Sequence, residues 1–336
     1  MTIVDIAKES GYSVSTVSRV LNGRRDVSPK ARERILEIVE ARQFVPNKNA
    51  KHLKQTISKS ILILVKGTSN MLFASILEAI QNTVEESEYS MRIHYLDEDA
   101  NEVAEALRIC REHKPMGILF LGGNELYFKE QFQEIKVPCV LVTNRGDDLE
   151  FPNLSSVATD DTAAAEVAVD YLLDHGLVNF GVIGGDFQFS STSIQRQAGC
   201  LNSFARHGRQ FDEKYYSIAR FSYDSAYQAM NRLLDRGIPL TAVFAMSDVM
   251  AVGAIRAIHD RGLRVPEDIS IVGFDGTLLA DYYSPNIVTV CQGYEAMAAR
   301  SVSILLSMID LNHQAIHELI PFRLKNTESV IDITES

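Results

Sequence analysis

The sequence predicts a small all-α head followed by an α/β body of two lobes, each a doubly wound parallel sheet. Three observations lead there. Up to about residue 45, apolar residues recur at helical spacing in three short segments broken by turn residues. From Ile61 onward, apolar runs of strand length alternate with helical patterns. The charge divides at the same place. Twelve basic and six acidic residues up to Ser60 make that segment +6, so the remainder of a chain of net charge −11 carries −17.

In the head, Ile3, Ile6 and Ala7 share one apolar face, and Gly11 stops that helix. Ser13 is placed to cap a second helix whose Val17, Val20 and Leu21 turn inward. Asn22-Gly23 is a stop and turn. Ser28-Pro29 then opens a third helix with Ile35, Ile38 and Val39 on its buried side. Two helices joined by a tight glycine turn and braced by a third make a helix-turn-helix, expected over residues 1–46. Pro46 ends the pattern, and residues 47–59 read as a short basic linker of helix-forming composition.

The body, from residue 60 to 336, is expected to hold strands at Ile61–Val65, Arg92–Leu96, Ile118–Leu121, Val140–Thr143 and Val157–Ala158. Further strands are expected at Phe180–Ile183, Ala242–Met246 and Ile269–Phe274. Helical patterns lie between them, over 74–84, 103–110, 162–173, 225–234 and 249–260. Ligands of such open sheets bind outside the carboxyl ends of the strands, which makes the cleft between the lobes the expected site.

A basic head on an acidic body brings cationic surface to phosphate while the body is repelled from the duplex. No run of about 18 apolar residues suggests a membrane span, and the N-terminus lacks the form of a secretory signal. Cys110, Cys139, Cys200 and Cys291 are scattered, as reduced thiols of a cytoplasmic protein would be, with no metal-ligand spacing. Gly181 to Gly185 lack the spacing that cradles a pyrophosphate, and neither a phosphate-binding lysine loop nor a nucleophile elbow is present. Neither catalysis nor a cofactor is expected.

Ile3-Val4-Asp5-Ile6-Ala7, Ser13 through Asn22, Val27-Ser28 and Phe44-Val45-Pro46-Asn47 closely resemble the head of the LacI/GalR family of bacterial repressors. Arg196-Gln197-Ala198-Gly199, Ser247-Asp248 and the run from Val265 to Asp275 extend the resemblance through the body. The resemblance implies a sequence-specific transcription regulator whose grip on operator DNA is set by a small ligand. It also implies a body like that of periplasmic solute-binding proteins, with lobe 1 at about 60–159 plus 292–320 and lobe 2 at about 160–291 plus 321–336.

In a helix-turn-helix the start of the second helix meets base edges. Val14 offers a methyl contact, Ser15 a hydroxyl, and Arg19 a guanidinium suited either to guanine or to phosphate. Ser13, Thr16, Ser18 and Asn22 suit phosphate positioning. By resemblance, residues 47–59 form a hinge helix that orders on DNA, with Asn47 at its start and Leu53 wedged into the minor groove.

On the ligand side, Arg196 can fork onto paired hydroxyls or a carboxylate, and Asp275 ends an apolar strand. The resemblance assigns both to the effector, with Phe221 stacking on a ring and Phe73 on the opposite wall. Asn144, Ser247 and Gln292 are further candidates by position. The chain departs from the family at Ser247-Asp248, Gly176-Leu177 and Gln292-Gly293. A carbohydrate effector fits this set. A purine-like corepressor, a partner protein or a transport-type solute-binding role are the alternatives. A homodimer is expected, because two-fold operators need two heads, and no heptad-bearing tail follows Glu328.

Overall fold

The computed structural model describes residues 3–21, 27–42 and 59–334. Two compact units emerge, residues 1–58 and 59–336.

The first unit holds α1 (Ile3–Ser10), α2 (Val14–Leu21) and α3 (Pro29–Ala41). Ser13 caps α2, its Oγ accepting from Thr16 N–H at 3.2 Å. Ser28 does the same for α3, through Ala31 N–H at 3.4 Å, with Pro29 in the first turn. The three helices close on Ile6, Ala7, Val17, Val20, Ile35 and Ile38. Arg42 beyond α3 bonds Glu9 of α1 at 2.9 Å.

The second unit is two sheets with helices on both faces. Sheet 1 orders six parallel strands β11-β5-β4-β3-β1-β2. They are β1 (Ser60–Lys66), β2 (Ser90–Leu96), β3 (Gly117–Leu121), β4 (Cys139–Val142), β5 (Leu154–Ala158) and β11 (His317–Leu319). Between them run α4 (Met71–Glu85), α5 (Glu102–His113) and α6 (Glu125–Gln131). Alternation along β1 explains the layering: Ile61, Ile63 and Val65 pack with α4 on one face, and Leu62 and Leu64 pack with α5 and α6 on the other.

Sheet 2 orders β12-β10-β9-β8-β6-β7. Its strands are β6 (Phe180–Gly184), β7 (Tyr216–Ile218), β8 (Ala242–Ala245), β9 (Ser270–Asp275), β10 (Val288–Gln292) and β12 (Phe322–Lys325). Its helices are α7 (Asp161–Asp174), α8 (Ser191–Arg206), α9 (Tyr223–Asp235), α10 (Asp248–Asp260) and α11 (Leu278–Tyr282). The edge strand β12 runs antiparallel to β10, the one departure here from an all-parallel sheet. Between β10 and β11, α12 (Tyr294–Leu311) returns to sheet 1 and buries Met297, Val302 and Leu305 against it. The chain therefore crosses between the lobes after β5, after β10 and after β11.

Candidate functional site

Two surfaces carry most of the residues singled out from the sequence. On α2, Val17 and Val20 face the core, which turns the other side of the helix to solvent. Val14 is 42% exposed at its first position, and Ser15 and Arg19 are exposed on the same side. Thr16 and Ser18 are half-buried. The hydroxyl of Ser13 lies 2.8 Å from that of Ser15 and 2.9 Å from that of Thr16, so three hydroxyls cluster at the helix N-terminus, where its unpaired N–H groups attract anions. Asn22, Asn47, Leu53 and the hinge segment lie outside the described residues.

The second surface is a cavity of about 290 Å³ between the sheets of the body. Lobe 1 contributes Lys66, Phe73, Gly122 and Asn144, and lobe 2 contributes Arg196, Phe221, Asp275 and Gln292. All but Phe73, Arg196 and Phe221 sit at or just beyond a strand's carboxyl end. The backbone turns sharply there. Gly122, Thr143 and Asp275 have φ of +79°, +76° and +112°, and the last two hold such values against the steric preference of their side chains.

Two glycines let the aromatic walls close in. A Cβ on Gly122 would stand 3.0 Å from Phe73 Cζ, and one on Gly185 would stand 2.7 Å from Ser193 Oγ and 3.2 Å from Phe221 Cε2.

Arg196 is the centre of the lobe 2 wall. Its Nε donates to Asp161 Oδ1 at 2.8 Å, Nη1 donates to the carbonyl of Met246, and the guanidinium lies 3.6 Å from the Phe274 ring centroid. Held on three sides, the group has one orientation. Asp275 Oδ1 accepts from Gln292 Nε2 at 2.8 Å, and Gln292 Oε1 accepts from Thr159 Oγ1 at 2.9 Å beside the first lobe crossing. Burial holds the Asp275 carboxyl well above the usual carboxylate range, with Arg196 opposing the shift. Beneath it, burial raises Asp248 to about 6, although Thr289 Oγ1 and the N–H and hydroxyl of Thr277 all donate to it.

Six of the seven expected ligand residues thus line one cavity. Ser247 does not. It is fully buried, and its hydroxyl is taken up in capping α10 through Met250 N–H at 3.1 Å. The hydroxyl serves helix geometry, a use that the residue type itself favours.

Sequence reasoning missed Lys66, Asp161 and the rim residues Glu98 and Arg220. Lys66 did leave a signal, a charged residue directly after an apolar strand. Asp161 shows its role only through Arg196, 35 positions away. Both rims are bridged: Arg220 Nε stands 2.8 Å from Glu98 Oε1, Asn144 Nδ2 donates to Thr192 Oγ1 at 3.2 Å, and Asn124 Nδ2 donates to the Gln188 carbonyl at 3.1 Å. Among the described residues no cluster of metal-ligating side chains occurs, and no helix is long and apolar enough to cross a membrane.

Comparison with known proteins finds matches in both units of the chain. Residues 2–47 match the family described as bacterial regulatory proteins, lacI family, and residues 169–330 match the periplasmic binding protein-like domain. The HTH-type transcriptional regulator MalR of Clostridium butyricum is 36% identical over 337 residues, covering 99% of this chain and all of that protein. The solved transcriptional regulator CelR–cellobiose complex is 25% identical, with a TM-score of 0.71 over 98% of this chain and 99% of that one. The lac repressor dimer bound to operator and the anti-inducer ONPF shares the fold at a TM-score of 0.76 and 24% identity, over 98% of this chain and 99% of that one.

Proposed function

Because the chain belongs to the lacI family of bacterial regulatory proteins, we propose that its inter-lobe cleft takes a neutral carbohydrate and that it acts as a homodimer on a two-fold operator. It is a DNA-binding transcription regulator under ligand control.

The observation that carries the ligand class is the charge balance of the cleft wall. Each cationic side chain that lines it already has a carboxylate partner: Lys66 with Glu102, Arg196 with Asp161, and Arg220 with Glu98 and Asp99. Among the described residues that line it no surplus cation remains for a phosphate or a uronate, and Asp186 adds another acid. What the wall offers instead is fixed donors and acceptors beside the rings of Phe73 and Phe221, which suits a polyhydroxylated ring with apolar faces. That CelR was solved with cellobiose supports the same class.

On the DNA side, Val14, Ser15 and Arg19 read base edges, and Ser13, Thr16 and Ser18 position phosphates. Asn22, Asn47 and Leu53 complete the proposed contacts, and a regulator that works on the chromosome acts in the cytoplasm. Ligand closing the cleft shifts the geometry that two heads need to reach two half-sites, and by linkage operator changes ligand affinity by the same factor.

The test is thermal unfolding of the full chain against neutral sugars, sugar phosphates, uronates and purines. Selective stabilisation by a neutral sugar, together with altered operator affinity, is the expected result. Stabilisation by a purine or a phosphorylated sugar alone would overturn the ligand class.

A further inference from the structure

Lys66 stands at a distinctive place. It ends β1, and Gly122 follows the neighbouring strand β3. From these two strands the chain leaves to opposite faces, to α4 and to α6, so the crevice between their ends is the switch point of sheet 1.

The side chain there is only 6% exposed. Nζ donates to Glu102 Oε2 at 2.6 Å and lies 5.0 Å from the Tyr127 ring centroid. An ammonium carries three N–H groups. Glu102 takes one and the ring covers another side, which leaves a donor for the cavity that Lys66 lines. The pair as a whole is neutral, so this donor serves an uncharged oxygen without attracting an anion.

Glu102 does more than neutralise. Its other oxygen, Oε1, accepts from the backbone N–H of Asn124 at 2.5 Å. The Asn124 side chain caps α6 through Leu126 N–H at 3.0 Å and donates from Nδ2 to Gln188 of lobe 2. A continuous set of hydrogen bonds therefore runs from the ligand wall to a bond that closes the lobes.

We propose that Lys66 donates a hydrogen bond to a hydroxyl or ring oxygen of the ligand, and that Glu102 and Asn124 tie this contact to the lobe-closing bond with Gln188. The inference rests on the cleft being the ligand site. Lys66 is then a specificity residue, and Asn124 a positioning residue that acts through it.

The experiment uses the full chain and ribose, glucose, cellobiose and maltose. The sugar that most stabilises the protein is titrated calorimetrically into Lys66→Met/Glu102→Gln, which removes both charges so that neither is left buried alone, and into Phe221→Ala as the control for the cleft. Both variants should bind more weakly, the double variant by roughly 10- to 100-fold, as loss of a charged donor predicts. Deoxy analogues should include one that binds wild type and double variant equally, because it lacks the oxygen that Lys66 contacts. Asn124→Ser keeps the cap but cannot reach Gln188; it should cost several-fold in the wild-type background and nothing in the double variant. Unchanged binding by the double variant with weakened Phe221→Ala overturns the role of Lys66 and leaves the cleft standing. Unchanged binding by Phe221→Ala, or no shift with any of the four sugars, overturns the cleft reading as well. Equal cost of Asn124→Ser in both backgrounds overturns the relay.

Discussion

Arg196 Nη2 stands 4.0 Å from Asp275 Oδ1, close enough for attraction and too far for a hydrogen bond. A hydroxyl oxygen about 2.8 Å from each fits that gap, accepting from the guanidinium and donating to the carboxylate. A donor and an acceptor held at this separation are what a sugar hydroxyl needs, with Arg196 anchored by Asp161 and Met246 and Asp275 by Gln292.

Asp275→Asn tests the carboxylate. Burial raises the Asp275 pKa, so in wild type the folded state binds more protons than the unfolded one once pH passes the usual carboxylate value. Folding is favoured below that value, and the advantage fades as pH rises through the raised one. The stability of Asp275→Asn minus that of wild type should therefore climb as pH rises from about 4. A flat difference in thermal unfolding between pH 4 and 8 would contradict the shift.

Arg196→Ala should lower stability by about 3–5 kcal/mol, because it leaves Asp161 buried without its cation. Burial already pushes Asp161 upward in pKa against the pull of Arg196. Adding Asp161→Asn should recover part of that loss but none of the ligand binding, measured by denaturant unfolding and by calorimetry.

Gly122→Ala sets a Cβ 3.0 Å from Phe73 Cζ at a φ of +79°. The backbone cost alone is about 1–2 kcal/mol, and Phe73 must yield as well. Reduced stability together with weaker ligand binding is expected; a variant as stable as wild type would show that the turn tolerates a side chain.

Val17→Ala removes methyl groups from the small core of the head, where Val17 is fully buried. A loss of about 2 kcal/mol falls on that unit. Calorimetry should show operator binding lost while the ligand-induced shift of the body stays as in wild type.

Arg19→Ala distinguishes base reading from phosphate contact. A guanine contact predicts a cost of about 1–3 kcal/mol and relaxed preference at one base position, with little change in salt slope. A phosphate contact predicts uniform weakening and a salt slope lower by about one. Operator titrations at several salt concentrations read both.

Much of the fold is visible in local pattern. Runs such as Ile61–Val65 and Ile118–Leu121 mark strands buried on both faces, and Ser13, Ser28 and Pro29 mark helix starts. The strands β7 and β11, three residues each, and β12 with four are too short to carry a period, and their pairing comes from neighbours far along the chain. The helices α8 and α12 were legible only as family-like motifs or not at all, since small and polar residues interrupt their apolar faces.

The sequence by itself determined which residues stand at strand ends and helix starts, because periodicity and capping act within a few residues. Asp275 could therefore be placed at a strand end before any geometry, whereas Arg196 and Gln292 were picked out by the family resemblance. Only the tertiary structure decided what those ends meet. Packing of helices on the parallel sheets and on one another brings Lys66 to Glu102 and Arg196 to Asp161, across 36 and 35 positions. The same packing turns Ser247 away from the cleft to cap its own helix. Burial makes such choices compulsory: a charge or hydroxyl removed from water must find its partner inside, and the folded backbone determines which one is in reach.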